Sequence, residues 1–223
     1  MARGKKISSN GFTLIEMVGV LAVIAILVAL LLPKVFDVMA ESRVRALVAA
    51  VKTYQAAIVD YYADIGSILP LDTNGVPAIE VSGESVNVES LGARLTLDKG
   101  DPLNTGSNSW MKFKGPYLRE FSSDNPPGFG SRVFMLVRDG PAYGAPPTAI
   151  NRGFDFNGDG SSDIPTNAHV AFLRIRSVSL EDFERVDSVL DVGIGETAVE
   201  RQLRGLAKYD VATNRMRIYL MHK

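Results

Sequence analysis

The chain has 223 residues, with 24 Lys and Arg against 25 Asp and Glu, a formal net charge of -1 and no cysteine. That length suits one ordinary domain plus an appendage, and the charge balance asks for neither nucleic acid nor an acidic substrate. The absence of cysteine excludes disulfides, thiolate nucleophiles and cysteine-ligated zinc, but leaves the compartment undecided.

The first element is the run "GFTLIEMVGVLAVIAILVALLLPK" at 11–34, in which Glu16 is the only ionisable residue between Phe12 and Leu32. At about 1.5 Å per helical residue this stretch can cross a hydrocarbon core roughly 30 Å thick, so a transmembrane helix is expected over 12–33. Arg3, Lys5 and Lys6 stand just before it, and the positive-inside rule keeps the N-terminus cytoplasmic and the body extracytoplasmic. A cleaved secretory signal fits poorly. Its apolar core usually runs about 7–15 residues, and here Lys34 and Asp37 precede the one small-residue site, Val38-Met39-Ala40. A plain anchor explains the length and the flanking charges but not Glu16, because a carboxylate in lipid is costly, though less so near the interface.

Lys5-Lys6, then Gly11-Phe12-Thr13-Leu14-Ile15-Glu16, then an unbroken apolar run ending at Pro33, together resemble the class III signal of type IV pilins and type II secretion pseudopilins. The resemblance covers residues 5–36. It implies a basic leader, 1–11, removed by a prepilin peptidase that cuts between Gly11 and Phe12 and methylates the new amine of Phe12, the helix being kept. It further implies self-assembly with other pilins or pseudopilins into a helical filament at an inner-membrane assembly platform, with membrane lipid around the waiting subunit. The implied location is single-pass in the inner (cytoplasmic) membrane, then a periplasmic or extracellular filament. Glycine at the cut leaves the backbone open to a protease. Glu16, four residues beyond Phe12, can meet the α-amine of a neighbouring subunit, so that two groups costly in lipid become one ion pair. By resemblance that pair sets axial register and is structural, not catalytic. Pro33 removes a helical hydrogen bond and predicts a kink or local melting, which the resemblance links to filament assembly.

Helical spacing continues over 34–66: Val44, Leu47, Val51, Tyr54, Ile58, Tyr61 and Ile65 recur at intervals of three and four, with Arg43, Arg45, Lys52, Asp60 and Asp64 on other faces. This predicts an amphipathic helix docked on a globular body, ended by Gly66 and Pro70. Residues 57–70 carry a weaker likeness to the end of the long pseudopilin helix.

The body, 67–223, is punctuated by turn formers such as "DTNG", "DNPPGFGS" and "DGPAYGAPP". Strands are expected at Val76–Val81, Arg132–Arg138, His169–Val178, Leu206–Tyr209 and Arg215–Met221. "SLED" at 179–182 is a capping-box pattern that opens a helix to about Leu190. The expected fold is α+β and pilin-like, a long helix on a small antiparallel sheet with loop-rich insertions.

"DFNGDGSSD" at 155–163 is the sharpest chemical motif in the body. Oxygens at Asp155, Asn157, Asp159, Ser161 (carbonyl) and Asp163, with Gly160 for a tight turn, match the opening of calcium loops. Position twelve is Thr166, which cannot supply the bidentate carboxylate, and Asp-Gly and Asn-Gly also make plain turns. A bound calcium would be structural. "GIGETA" at 193–198 imitates a dinucleotide fingerprint but lacks the chain for a βαβ unit and reads as a loop. His169 and His222 are isolated, the Trp110, Phe113 and Tyr117 group reads as packing, and no serine lies in G-x-S-x-G. These features predict a filament subunit and not an enzyme. The rival is an exported or anchored calcium-binding module, and a membrane-tethered hydrolase stands third.

Overall fold

The computed structural model describes residues 11–72, 75–77, 91–98, 108–123, 129–139, 153–195 and 197–223. Two compact units follow along the chain, Met1–Ser42 and Arg43–Lys223. A helix, α1, runs Leu14–Ile65. In the first unit its apolar side chains are exposed, Leu14 to 82 % and Leu30 to 71 %, and this is the one helix among the described residues long and apolar enough to cross a membrane. α1 continues as helix through Pro33, without local melting in the single chain. Proline deletes a single N–H bond, the one owed to the Ala29 carbonyl, and the unbroken run of helix formers on either side keeps the remainder.

In the second unit, Val44, Leu47, Val51, Ile58, Tyr61 and Ile65 are buried, as the spacing predicts, and Tyr54 is half-buried. Gly66 ends α1, its N–H bonding the Tyr62 carbonyl at 2.8 Å. The stripe packs on an antiparallel sheet built from β1 (Arg132–Asp139), β2 (His169–Arg176), β3 (Ala207–Asp210) and β4 (Arg215–His222), in the order β1-β2-β4-β3. Alternation decides the faces: Val133, Met135, Leu173, Ile175, Met216 and Ile218 join the α1 stripe in one core. Each such side chain contributes roughly 1.5–3 kcal/mol on burial.

Strand ends differ from expectation by one or two residues. β2 stops at Arg176 because Ser177 turns to a φ of 57°, and β3 lies one residue later than expected. Pro77 makes only an isolated bridge to Leu71, and residues 78–81 of the expected first strand lie outside the described residues. Short helices α2 (Leu91–Leu95) and α3 (Asn108–Lys112) interrupt the expected loops. They bring Trp110 and Phe113 into the core, with Tyr61 and Tyr117 edge-on to Phe113 at 6.3 and 5.2 Å.

Ser179 caps α4 (Leu180–Leu190), accepting from the Asp182 N–H. Phe183 and Val186 of α4 enter the core, Phe183 stacking on Tyr209 at 5.1 Å. An unexpected helix, α5 (Ala198–Leu203), starts at a full capping box between Thr197 and Glu200. On the opposite face of the sheet, residues 153–168 pack through Phe154 and Ile164 on Leu136, Val170 and Phe172.

Candidate functional site

Gly11 and Phe12 precede α1 outside regular structure, and Phe12 is 79 % exposed. A Cβ on Gly11 would meet nothing within 4 Å, so the bond after it is open to a protease. Arg3, Lys5 and Lys6 of the leader lie outside the described residues.

At the start of the helix, Glu16 folds back on Thr13. Its Oε2 accepts the Thr13 N–H at 2.7 Å and the Thr13 hydroxyl at 2.7 Å, while the Glu16 N–H donates to Thr13 Oγ1 at 3.3 Å. This is a reciprocal capping box, which satisfies orphan donors at the first turn of an otherwise apolar helix. The T-x-x-E spacing is present in "TLIE", and it gives Glu16 a local role beside the intersubunit one that the resemblance implies.

The acidic loop is brought together as the spacing suggests, but its carboxylates face its own backbone. Asp155, fully buried, accepts from Gly158 N–H (2.7 Å), Asp159 N–H (3.1 Å) and Gly160 N–H (2.8 Å). Asp163 Oδ2 accepts from Phe156 N–H at 2.6 Å, and Asn157 Nδ2 donates to Asp159 Oδ2 at 3.1 Å. Ser161 donates its N–H to Asp159 Oδ1 at 2.8 Å, which holds the Asp159 carboxyl below its usual range. A cation is already present: Arg204, at the end of α5, places Nε 3.7 Å from Asp155 Oδ2, donates to the Gly158 carbonyl at 2.9 Å, and pairs with Glu200. Among the described residues no group of three or more His, Asp or Glu side chains gathers as a metal site would require. Arg204 lies 41 residues beyond the motif, and no local pattern pointed to it.

His169 Nδ1 sits 3.1 Å from Asp139 Oδ1, and His222 Nδ1 sits 2.8 Å from the Tyr219 hydroxyl, so each lies in a strand pair or strand end. Gly193 and Gly195 of the fingerprint-like loop have φ of 84° and 81° and line a cavity beside α4. Asp191, the α4 C-cap, accepts Leu206 N–H at 2.7 Å and Ala207 N–H at 2.8 Å. Gly205, at φ 89°, admits this contact: a Cβ there would come within 2.4 Å of the Asp191 carboxyl carbon.

Residues 7–32 match the prokaryotic N-terminal methylation motif, the class III prepilin signal of type IV pilins and pseudopilins. Neither a curated protein nor a solved structure matches the chain.

Proposed function

We propose that this chain is a structural subunit of a type IV pilus or type II secretion pseudopilus. The observation that carries the reading is the methylation motif over residues 7–32, followed by an exposed apolar helix. The precursor inserts with Arg3, Lys5 and Lys6 on the cytoplasmic side and its body outside. Prepilin peptidase cuts between Gly11 and Phe12, Phe12 is N-methylated, and the mature subunit joins other pilins or pseudopilins at an inner-membrane platform. The apolar surface from Phe12 to Met39, exposed in the single chain, is then covered by equivalent helices of neighbours, by packing within lipid and by the hydrophobic effect once the filament leaves it. The new amine at Phe12 pairs with Glu16 of an adjacent subunit. Mass spectrometry of the mature protein tests this: an N-methylated Phe12 start is expected, whereas an intact Met1 or a start at Glu41 would overturn it.

A second reading, favoured by the D-x-N-x-D-G spacing from Asp155, is an extracytoplasmic calcium-binding module outside any filament. Calcium would use carboxylate lone pairs of Asp155, Asp159 and Asp163 that the loop amides leave, and would displace Arg204 from Asp155. Extracellular modules bind calcium at about 0.1–1 mM, so that reading requires calcium in this range to raise the melting temperature. No shift at about 5 mM removes it.

A further inference from the structure

A helix ends on the negative pole of its macrodipole, and a basic side chain in the last turn is the usual complement. The last turn of α4 has none: it reads Asp187, Ser188, Val189 and Leu190, and Asp191 caps it. Glu184, Asp187 and Asp191 line a cavity of about 420 Å³, together with the 192–195 loop and Arg201 of α5. That volume lies within the range of small-ligand sites, about 300–1,000 Å³.

The two buried acids of this cavity are in different states. Asp191 accepts one backbone N–H at each oxygen, from Leu206 and Ala207. Asp187 is 3 % exposed, and its Oδ1 has no hydrogen-bond partner. An unsatisfied acceptor in a buried site is rare in folded proteins and calls for a ligand. Burial, then Asp191, push the Asp187 pKa up to about 7, with Glu184 adding to them against the pull of Arg201. The one cation lining the cavity therefore does not offset the burial and repulsion of Asp187.

We propose that the cavity between α4 and α5 binds a primary alkylammonium, with Asp187 as its counter-ion and Val192 and Ile194 against its stem. Among the described residues the acids do not converge as a metal site requires, which favours an organic cation over a divalent ion. Val192, 81 % exposed, and Ile194 give the cavity an apolar wall, and an aliphatic stem covers such a wall while its head stays with the charge. An ammonium is a compact charge with three donors, so it serves a single unpartnered oxygen without the paired acceptors that a guanidinium fork uses. Asp187 is desolvated by the fold itself, so binding adds the attraction and only the ligand's own desolvation. The negative end of α4 acts in the same direction.

Calorimetric titration of detergent-solubilised full-length protein with n-butylammonium chloride, against equal sodium chloride, tests the site. Saturable binding at one site per chain is expected at pH 8. Asp187→Asn should weaken it about tenfold or more, and Arg201→Gln should tighten it about threefold by removing a like charge from the cavity. Binding requires ionised Asp187, so affinity should fall about tenfold between pH 8 and pH 6, following the ionised fraction of a group titrating near 7. Fluorescence of the single Trp110 verifies that each variant is folded. Nα-acetyl-lysine methylamide binding more tightly than n-butylammonium would support the site and assign its ligand to a protein lysine; the reverse order would support it and assign a free amine. Absence of binding up to about 50 mM overturns the proposal, as does equal affinity in Asp187→Asn. Equal binding of tetramethylammonium, which has no donor, would reduce the effect to diffuse attraction and overturn it too. So would calcium that displaces n-butylammonium from wild type and not from Asp187→Asn, since the cavity would then be a metal site. The cavity lies within one chain, so none of these results bears on the subunit reading.

Discussion

Replacing Asp187 by Asn should stabilise the body at neutral pH, which is the reverse of the usual outcome for a buried substitution. Asp187 is 3 % exposed with one oxygen unpartnered, and its folded pKa stands at about 7 against an ordinary 3.8. A difference of about 3 units corresponds to roughly 4 kcal/mol between the two protonation states. The cavity is open on one side, water screens the charge, and about half of that, roughly 2 kcal/mol, is a fair expectation. The sign follows from proton counting. Between about pH 4 and 7 the folded chain holds a proton that the unfolded chain has released, so wild-type stability falls as pH rises through that window. The Asn variant lacks this penalty. Its advantage should therefore be complete above about pH 7, shrink as pH falls, and vanish below about pH 4. Thermal unfolding of detergent-solubilised full-length protein, followed by the fluorescence of buried Trp110, should show a gain of about 4–8 °C at pH 8. A variant no more stable than wild type at pH 8, or a gain independent of pH, would refute the argument.

Asp191→Ala should cost roughly 2–4 kcal/mol, because the N–H groups of Leu206 and Ala207 lose the carboxylate that accepts both of them; an unchanged urea midpoint would contradict this. Lys208 donates to the Gly153 carbonyl from a site 2 % exposed, and burial, with Arg217 nearby, pushes its pKa down to about 8. Lys208→Met should therefore lose ground relative to wild type by roughly 2–3 kcal/mol as pH rises from about 8 to 10.5, since wild type sheds its burial penalty over that range; a stability gap that stays flat with pH would count against it. Glu16→Gln keeps an acceptor for Thr13 and removes the charge, so membrane insertion should be normal and the yield of sheared filaments reduced. Wild-type yield from that variant would dispose of the amine pairing.

Where a local pattern was enough, the fold was readable in advance. The three-and-four spacing of Val44 to Ile65 located the buried side of α1, and the alternation in 215–221 located β4. Ser179 announced α4. Other features are written locally but outweighed by a neighbouring pattern: "TAVE" at 197–200 is a capping box that opens α5, yet it overlaps the fingerprint-like "GIGETA", which reads as a loop. Alternation also shows Arg174 and Arg176, then Arg215 and Arg217, two apart in strands that pair. Alternating charges in a strand usually mean a solvated face, and only the register shows that they line up. Asp187 lies four residues after Phe183, on the same side of α4, but an acid in an acidic helix gives no sign of burial until the chain covers it. Non-local features such as Arg204 at the acidic loop have no signature at all. The spacing of 155–163 describes oxygen atoms and is silent on whether the cation near them is calcium or a guanidinium 41 residues away.

On the proposed subunit reading, the one carboxylate of Glu16 serves both the precursor and the filament. In the single chain both Thr13 donors converge on Oε2, and Oε1 has no protein partner among the described residues. Before cleavage residue 12 contributes only a peptide nitrogen, so no amine exists to pair with Glu16. The bonds to Thr13 then provide the carboxylate with donors at the point where the helix enters an apolar medium, and they also cap the first turn. Cleavage creates the Phe12 amine without disturbing Oε2, because the capping bonds come from Thr13, on the retained side of the cut. A neighbour's amine can therefore be accepted at Oε1 with the helix start intact, and the two roles add. The geometry that would make Glu16 tolerable in a waiting precursor also leaves Oε1, without a partner among the described residues, for the charge that the proposed processing would supply.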